Sequence, residues 1–304
     1  MDPLERDFYE ERRRRWRRRS FWKGFLVALI LGLVLYSGAI LEAVRGFTDQ
    51  VARVEIDGII TEDVEFEAML DEIAERDNVR ALVVRINSPG GTTAGSEALF
   101  GALRRVAEAK PVVAVLGEVA ASGGYIAAMA ADHIVARGNS LTGSIGVIME
   151  YPDITGLLER FGIDVETFRS SELKAEPAPY RPITPEARRL SEALVEESYR
   201  WFRGLVAERR GLEGKALDRV ANGAVFTGRI AREAGLVDTL GGEREAIAWL
   251  ESREPGLEAL PVRDWALDPD RTFGSRLLGL LAPSGGIFGE IGRFDGPKLY
   301  SLGP

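Results

Sequence analysis

Val119-Ala120-Ala121-Ser122-Gly123-Gly124-Tyr125 is the stretch from which the rest of the chain is read. The apolar run Val112 to Leu116 before it has strand character, and the small-residue stretch Gly124 to Ala131 after it suits a closely packed helix. Ser122 therefore falls where a strand gives way to a helix. A nucleophile there sits at the positive end of the helix, and the Gly123 N–H can face a developing oxyanion. A helix N-cap followed by glycines that allow close packing fits the same residues, so local sequence leaves both roles open. The Gly-x-Ser-x-Gly elbow is absent, because position 120 is alanine.

Working outward, Val51 to Ile56 and Ile59-Ile60 read as strands, Val64 to Glu75 as an amphipathic helix and Ala81 to Ile86 as a buried strand ended by the turn Ser88-Pro89-Gly90-Gly91. Glycine in that turn would leave backbone N–H groups open to a cleft, or serve an ordinary tight turn. Ser96 to Lys110 reads as a helix. Beyond Ser122 come short strands at Ile134 to Ala136 and Ile145 to Met149, then helices at Ile154 to Phe161, Pro185 to Arg209, Lys215 to Val220 and Ile230 to Ala234. The alternation predicts an α/β fold with much parallel pairing. The stretch from Leu277 to Pro304 reads as a partly apolar tail that could pack on a neighbour, enter the cleft or lie on a membrane.

The residue inventory narrows the chemistry. The chain has one histidine and no cysteine. A Ser-His-Asp triad would have to use His133, which reads as structural, and Cys-His chemistry is excluded, so an activated serine needs another base. Lysine is the obvious substitute. Disulfides and thiolate metal sites are excluded, and a zinc site would have to be almost all carboxylate. No cofactor is expected.

The N-terminus is a separate unit. Residues 1–23 carry nine basic and five acidic groups and abut Gly24 to Leu41, 18 residues without a charge. That length just spans a hydrocarbon core of roughly 30 Å. We expect a cytoplasmic basic segment (1–23), one transmembrane helix (24–43), an extracytoplasmic domain (44–260) and a C-terminal tail (261–304), with Trp16, Phe21 and Trp22 at the inner interface. A cleaved signal peptide ending near Ser37-Gly38-Ala39 is the competing reading, and the apolar run is long for one. The net charge of −8 and the +4 of residues 1–23 leave −12 on the remainder, which argues against nucleic acid as a partner.

Four linked motifs make a resemblance specific: Ile86-Asn87-Ser88-Pro89-Gly90-Gly91, Ala120 to Tyr125, Leu141-Thr142-Gly143-Ser144-Ile145-Gly146-Val147, and the lysine loop Ser170-Ser171-Glu172-Leu173-Lys174 to Arg181-Pro182-Ile183-Thr184. From about Val51 to Leu240 the chain resembles the signal peptide peptidase A family of membrane-anchored Ser-Lys proteases. The resemblance implies a ClpP/crotonase-like β-β-α superhelix. It implies Ser122 as nucleophile, Lys174 as general base, Ser144 as the hydroxyl that orients the lysine, and Gly91 and Gly123 as oxyanion donors. It implies a homo-oligomer acting on remnant signal peptides or other hydrophobic peptides at a cell membrane.

A free lysine, with a pKa of about 10.4, is a poor base at neutral pH, and burial disfavours its charged form. The role therefore asks for an apolar surrounding. Two residues depart from the family pattern: Ser171 stands where glycine is usual and Ala175 where aspartate is general. The Ser-x-x-Lys of penicillin-binding proteins also matches Ser171 to Lys174, but Pro177, Pro179 and Pro182 forbid the helix that motif needs, and no Lys-Thr-Gly occurs. The remaining alternatives are an NfeD-like membrane-protein-processing Ser-Lys protease and a non-catalytic crotonase-like acyl-thioester-binding or scaffold protein.

Overall fold

The strands alternate side chains between two buried faces, and that alternation organises the molecule. The computed structural model describes residues 22, 23, 25, 26, 29, 48–254, 256–258, 260–266 and 300–302. In chain order its elements are β1 (Gln50–Ile60), α1 (Val64–Glu75), β2 (Val79–Thr92), α2 (Thr93–Ala109), β3 (Val112–Ala121), α3 (Gly123–Met129), β4 (His133–Ala136) and β5 (Leu141–Gly143). Next come α4 (Thr155–Phe161), α5 (Pro185–Arg210), α6 (Gly214–Val220), β6 (Val225–Thr227) and α7 (Gly228–Glu233). The last elements are β7 (Thr239–Leu240), α8 (Glu243–Arg253), β8 (Val262–Asp264) and β9 (Tyr300–Leu302).

The sheet runs β6-β5-β3-β2-β1-β8, with β4 branching from β3, β7 pairing on β4, and β9 pairing on β2. All pairings are parallel except β5 with β6 and β2 with β9. The α/β class is as expected. On one face, Val54, Leu82, Val84, Ile86, Ala114 and Leu116 pack with Leu70 and Ile73 of α1, Leu103 and Val106 of α2, the whole of α3, and Phe202 and Val206 of α5. On the other, Val51, Ala81, Val83, Val113 and Val115 pack with Ala246 and Leu250 of α8. A period of two on adjacent strands is enough to produce both faces.

The helix ends follow local chemistry. The Asp63 side chain accepts the Phe66 N–H at 3.0 Å, Thr92 accepts that of Gly95 and Thr184 that of Ala187, the last just ahead of Pro185. Each such cap stabilises its helix by about 1 kcal/mol.

Three expectations are corrected. Residues 51–56 and 59–60 form one strand, with the register shifting between Asp57 and Ile59 around Gly58, whose φ is +72°. Ser88 to Gly91 is not a turn: β2 continues through it to Thr92, because β1 stays paired alongside, Ile59 with Gly90 and Ile60 with Gly91. Ile145 to Met149 is not a strand; the pairing instead uses Leu141 to Gly143 against the last residues of β3.

Residues 1–49 and 50–304 form two separate units. The membrane span expected at 24–43 lies outside the described residues apart from 25, 26 and 29, and no helix among the described residues is long and apolar enough to cross a membrane. Most of the tail also lies outside the described residues, and its Tyr300–Leu302 pairs antiparallel with Gly90 to Thr92.

Candidate active site

β3 divides its partners, and the division opens the site. Its first half, Val113 to Leu116, pairs with β4, and its end, Val119 to Ala121, with β5. β2 follows β3 only as far as Ser88 opposite Ala120, so the side of β2 from Gly90 to Thr92 is vacated by β3 and taken by β9. Ser122 stands at the mouth of that gap.

Its backbone takes φ 55° and ψ −117°, a region that a residue with a Cβ adopts at a cost of about 1–3 kcal/mol. Neighbouring backbone holds it there: the Ser122 N–H donates to Gly143 O at 2.8 Å, and the N–H groups of Tyr125 and Ile126 donate to Ser122 O. Tyr125, fully buried, donates its hydroxyl to Leu236 O at 2.8 Å and so fixes the short helix that follows. Burial pushes the Tyr125 phenol pKa up, so the hydroxyl stays protonated as donor. The Ser122 side chain is fully buried, makes no cap hydrogen bond, and its Oγ has no partner. The N-cap role is thereby set aside.

The two oxyanion candidates lie together. A Cβ built on Gly123 would stand 2.3 Å from Ser96 Oγ, 3.1 Å from Gly91 N and 3.2 Å from Gly90 Cα. Glycine at 123 is thus favoured by crowding from Ser96 Oγ, and the Gly91 nitrogen proposed as the second donor lies close by. Gly91 is required by β1, since a Cβ there would meet Ile60 O at 1.8 Å. Ser88 Oγ accepts the Gly90 N–H at 3.1 Å, and Ser96 Oγ donates to Thr92 O at 2.9 Å. Both serines are fully buried and shape the glycine segment. Sequence reasoning gave Ser88 and Ser96 no such role, since nothing in their spacing announces it.

Ser144 directly follows the residue that receives the Ser122 N–H. It has φ 51°, is 6% exposed, and donates its own N–H to Ala224 O. Ser122, Gly123, Gly91 and Ser144 therefore converge.

Lys174 does not join them within this chain. It is exposed, and among the described residues its Nζ makes no hydrogen bond or ion pair and Ser122 Oγ has no partner. The surrounding residues 147–176 are mostly exposed, Phe161 at 72% and Phe168 at 90%. His133 is engaged elsewhere, stacked on Trp249 at 4.7 Å with Nε2 2.9 Å from Thr239 Oγ1. Burial pushes its pKa down, against the opposing pull of Asp238.

A strained, buried serine at a strand-to-helix turn, followed by a glycine that packs on the Gly91 segment of a mostly parallel sheet, is an arrangement that suits an α/β serine protease. The chain belongs to peptidase family S49, whose profile matches residues 104–256, and within it to the signal peptide peptidase A group. A putative protease of Synechocystis is 37% identical over 202 residues, 66% of this chain and 73% of that one. A putative signal peptide peptidase SppA of Enterococcus faecium is 29% identical over 251 residues, 78% of this chain and 73% of that one. Protease 4 of Salmonella typhi is 35% identical over 62% of this chain, which spans only 30% of that protein. Among solved structures, a membrane-bound stomatin-specific protease matches 73% of this chain at a TM-score of 0.47 and 16% identity.

Proposed function

We propose that the protein is a membrane-bound serine endopeptidase that cleaves remnant signal peptides or other hydrophobic peptides through an acyl-enzyme formed by a Ser-Lys dyad. The observation that carries this reading is the Ser122 hydroxyl, buried and without a partner among the described residues, next to a glycine that packs on the Gly91 segment. Ser122 Oγ attacks the scissile carbonyl while Lys174 takes its proton. The Gly91 and Gly123 N–H groups hold the tetrahedral oxyanion, and on its collapse the lysine returns the proton to the leaving amine. Lys174, again neutral, then activates water to release the acyl group. Ser144 hydrogen-bonds the lysine and sets its direction.

The substrate lies as an extended strand along the vacated side of β2, where Tyr300–Leu302 lies in this chain. Beside it, a groove of about 180 Å³ is lined by Ile56, Ile60, Phe66 and Leu99 together with Glu55, Asp57, Asp63 and Glu67, and its apolar part suits a hydrophobic side chain.

Lys174 enters the site in a homo-oligomer. Exposed Leu157, Phe161, Ile163 and Phe168 on the segment that bears it need cover, and a second copy that supplies the cover also supplies the apolar surrounding a neutral lysine requires. Residues 24–43 anchor the chain with its N-terminus cytoplasmic and the protease domain outside.

The test is intact-mass spectrometry of detergent-solubilised protein treated with a fluorophosphonate. Mass added at Ser122, and lost in Ser122→Ala and Lys174→Ala, is the expected result. Failure of the well-folded, assembled wild type to label overturns the reading.

A further inference from the structure

The loop bearing Lys174 contains a buried carboxylate. Glu176 has a fully buried side chain although residues 170–175 just before it are exposed. Its Oε1 accepts Arg169 Nη1 at 2.7 Å and Arg181 Nε at 2.7 Å. The same Arg169 Nη1 donates to Glu172 O at 2.7 Å, so one guanidinium bridges the backbone before Lys174 and the carboxylate after it. Both arginines are themselves only about one-fifth exposed.

Between those anchors the backbone is tightly turned. The Lys174 N–H donates to Ser171 O and the Glu176 N–H to Leu173 O, and Ala175 has φ +61°. A residue with a Cβ holds such a φ only where its surroundings over-determine it. The clasp brackets Ala175 on both sides, at Glu172 and at Glu176. The Ile154 N–H bond to Pro179 O ties the far side of the loop to the start of α4. Removing one member of a buried ion pair leaves an uncompensated charge, so the clasp holds as a unit or not at all.

We infer that Glu176, clasped between Arg169 and Arg181, is a positioning residue that fixes the direction in which Lys174 is presented to the nucleophile. The inference rests on the reading of Lys174 as the base. It adds that the base is aimed by its own loop before any neighbouring surface meets it. Glu176 touches neither substrate nor reacting atoms, and its effect passes through Lys174.

The experiment is a double-mutant cycle on the full chain in detergent, read as the rate of fluorophosphonate labelling of Ser122. Glu176→Gln is expected to lower the maximal labelling rate about 10- to 100-fold, the size of effect expected from misplacing a group by an ångström, with the half-saturating probe concentration unchanged. Arg181→Lys, which keeps the charge and loses the planar fork, lowers it in the same sense and serves should Glu176→Gln misfold. Lys174→Ala combined with Glu176→Gln is expected to label at the rate of Lys174→Ala alone.

Wild-type labelling by both Glu176→Gln and Arg181→Lys, with Lys174→Ala inactive, overturns the clasp and leaves the dyad standing. A further loss in the double variant, equal to that of Glu176→Gln alone, assigns the clasp to folding and also overturns it. Undiminished labelling of Lys174→Ala overturns the dyad, and the inference with it.

Discussion

Ser122 and Ser144 are 0% and 6% exposed and are held by main-chain hydrogen bonds from the ends of adjacent strands, whereas Lys174 stands on a segment with little buried surface and Phe168 nearby is 90% exposed. The side that bears the proposed nucleophile is built by strand pairing within one chain, so its geometry is as stable as the sheet. The lysine side has only the clasp of Arg169, Glu176 and Arg181, together with a few backbone bonds, to shape it. The two halves of the proposed site, so differently supported, teach that a buried serine held by a sheet does not by itself make a complete site.

The sharpest way to break the comparison is to remove each half. Ser122→Ala and Lys174→Ala are each expected to lower peptidase activity by about 10⁴-fold or more, as for groups that act as one unit. Lys174→Ala should leave thermal stability within about 0.5 kcal/mol of wild type, as expected for an exposed side chain. A Lys174→Ala protein with near-normal turnover would show that the exposed segment is not part of the site.

Next in size is Gly123→Ala. Its Cβ would crowd Ser96 Oγ and Gly91 N, so overpacking of about 1–3 kcal/mol and a loss of about 10²–10³ in kcat are expected together. Denaturant melts and steady-state assays measure both. An alanine that is tolerated in both would mean that position 123 does not pack on Ser96 and the Gly91 segment.

A pair of substitutions sharpens the contrast in packing. Leu82→Ala, in the fully buried strand face, should cost about 2–5 kcal/mol of folding stability. Phe168→Asp should cost no more than about 0.5 kcal/mol in the fold itself. It should nonetheless shift the protein to smaller assemblies in light scattering and reduce labelling of Ser122. An unchanged assembly and rate with Phe168→Asp would remove the need for a second copy at that surface.

The smallest effect is a pH dependence on the opposite side of the sheet. Burial holds the His133 pKa below 6.5, so the unfolded chain binds a proton there that the folded chain resists. The His133 contribution is therefore fully present above about pH 6.5 and is lost as pH falls below it. Thermal melts between pH 7 and 5 should decline for wild type and decline less for His133→Gln, with peptidase activity retained in both at pH 7.

Much of this was legible in order along the chain. The helix predicted over Val64 to Glu75 and the long helix opening at Pro185 match the structure closely, because an acidic or hydroxyl cap and a 3.6-residue apolar period are local signals. The extent of β2 through Ser88-Pro89-Gly90-Gly91 was not legible, since glycine and proline read locally as a turn and only the neighbouring β1 keeps them extended. The apolar run Ile145 to Met149 mimicked a strand for the opposite reason. It has strand composition, but β6 and the end of β3 pair with Leu141 to Gly143 instead. Glu176 gave no signal at all, because a clasp of side chains at positions 169, 176 and 181 has no period.

By itself the sequence determined which chemistry was open: one histidine, no cysteine, a serine at a strand-to-helix turn and a lysine in a proline-bounded loop leave few ways to activate a nucleophile. Residue identity decides that, because it decides which groups can exchange a proton. Only the tertiary structure decided that Ser122 is strained, buried and without a partner beside Gly91, and that Lys174 stands apart on a clasped, exposed loop. Those facts depend on where β3 parts from β2 and on what covers each side chain, and such through-space relations are set by the packing of segments distant along the chain.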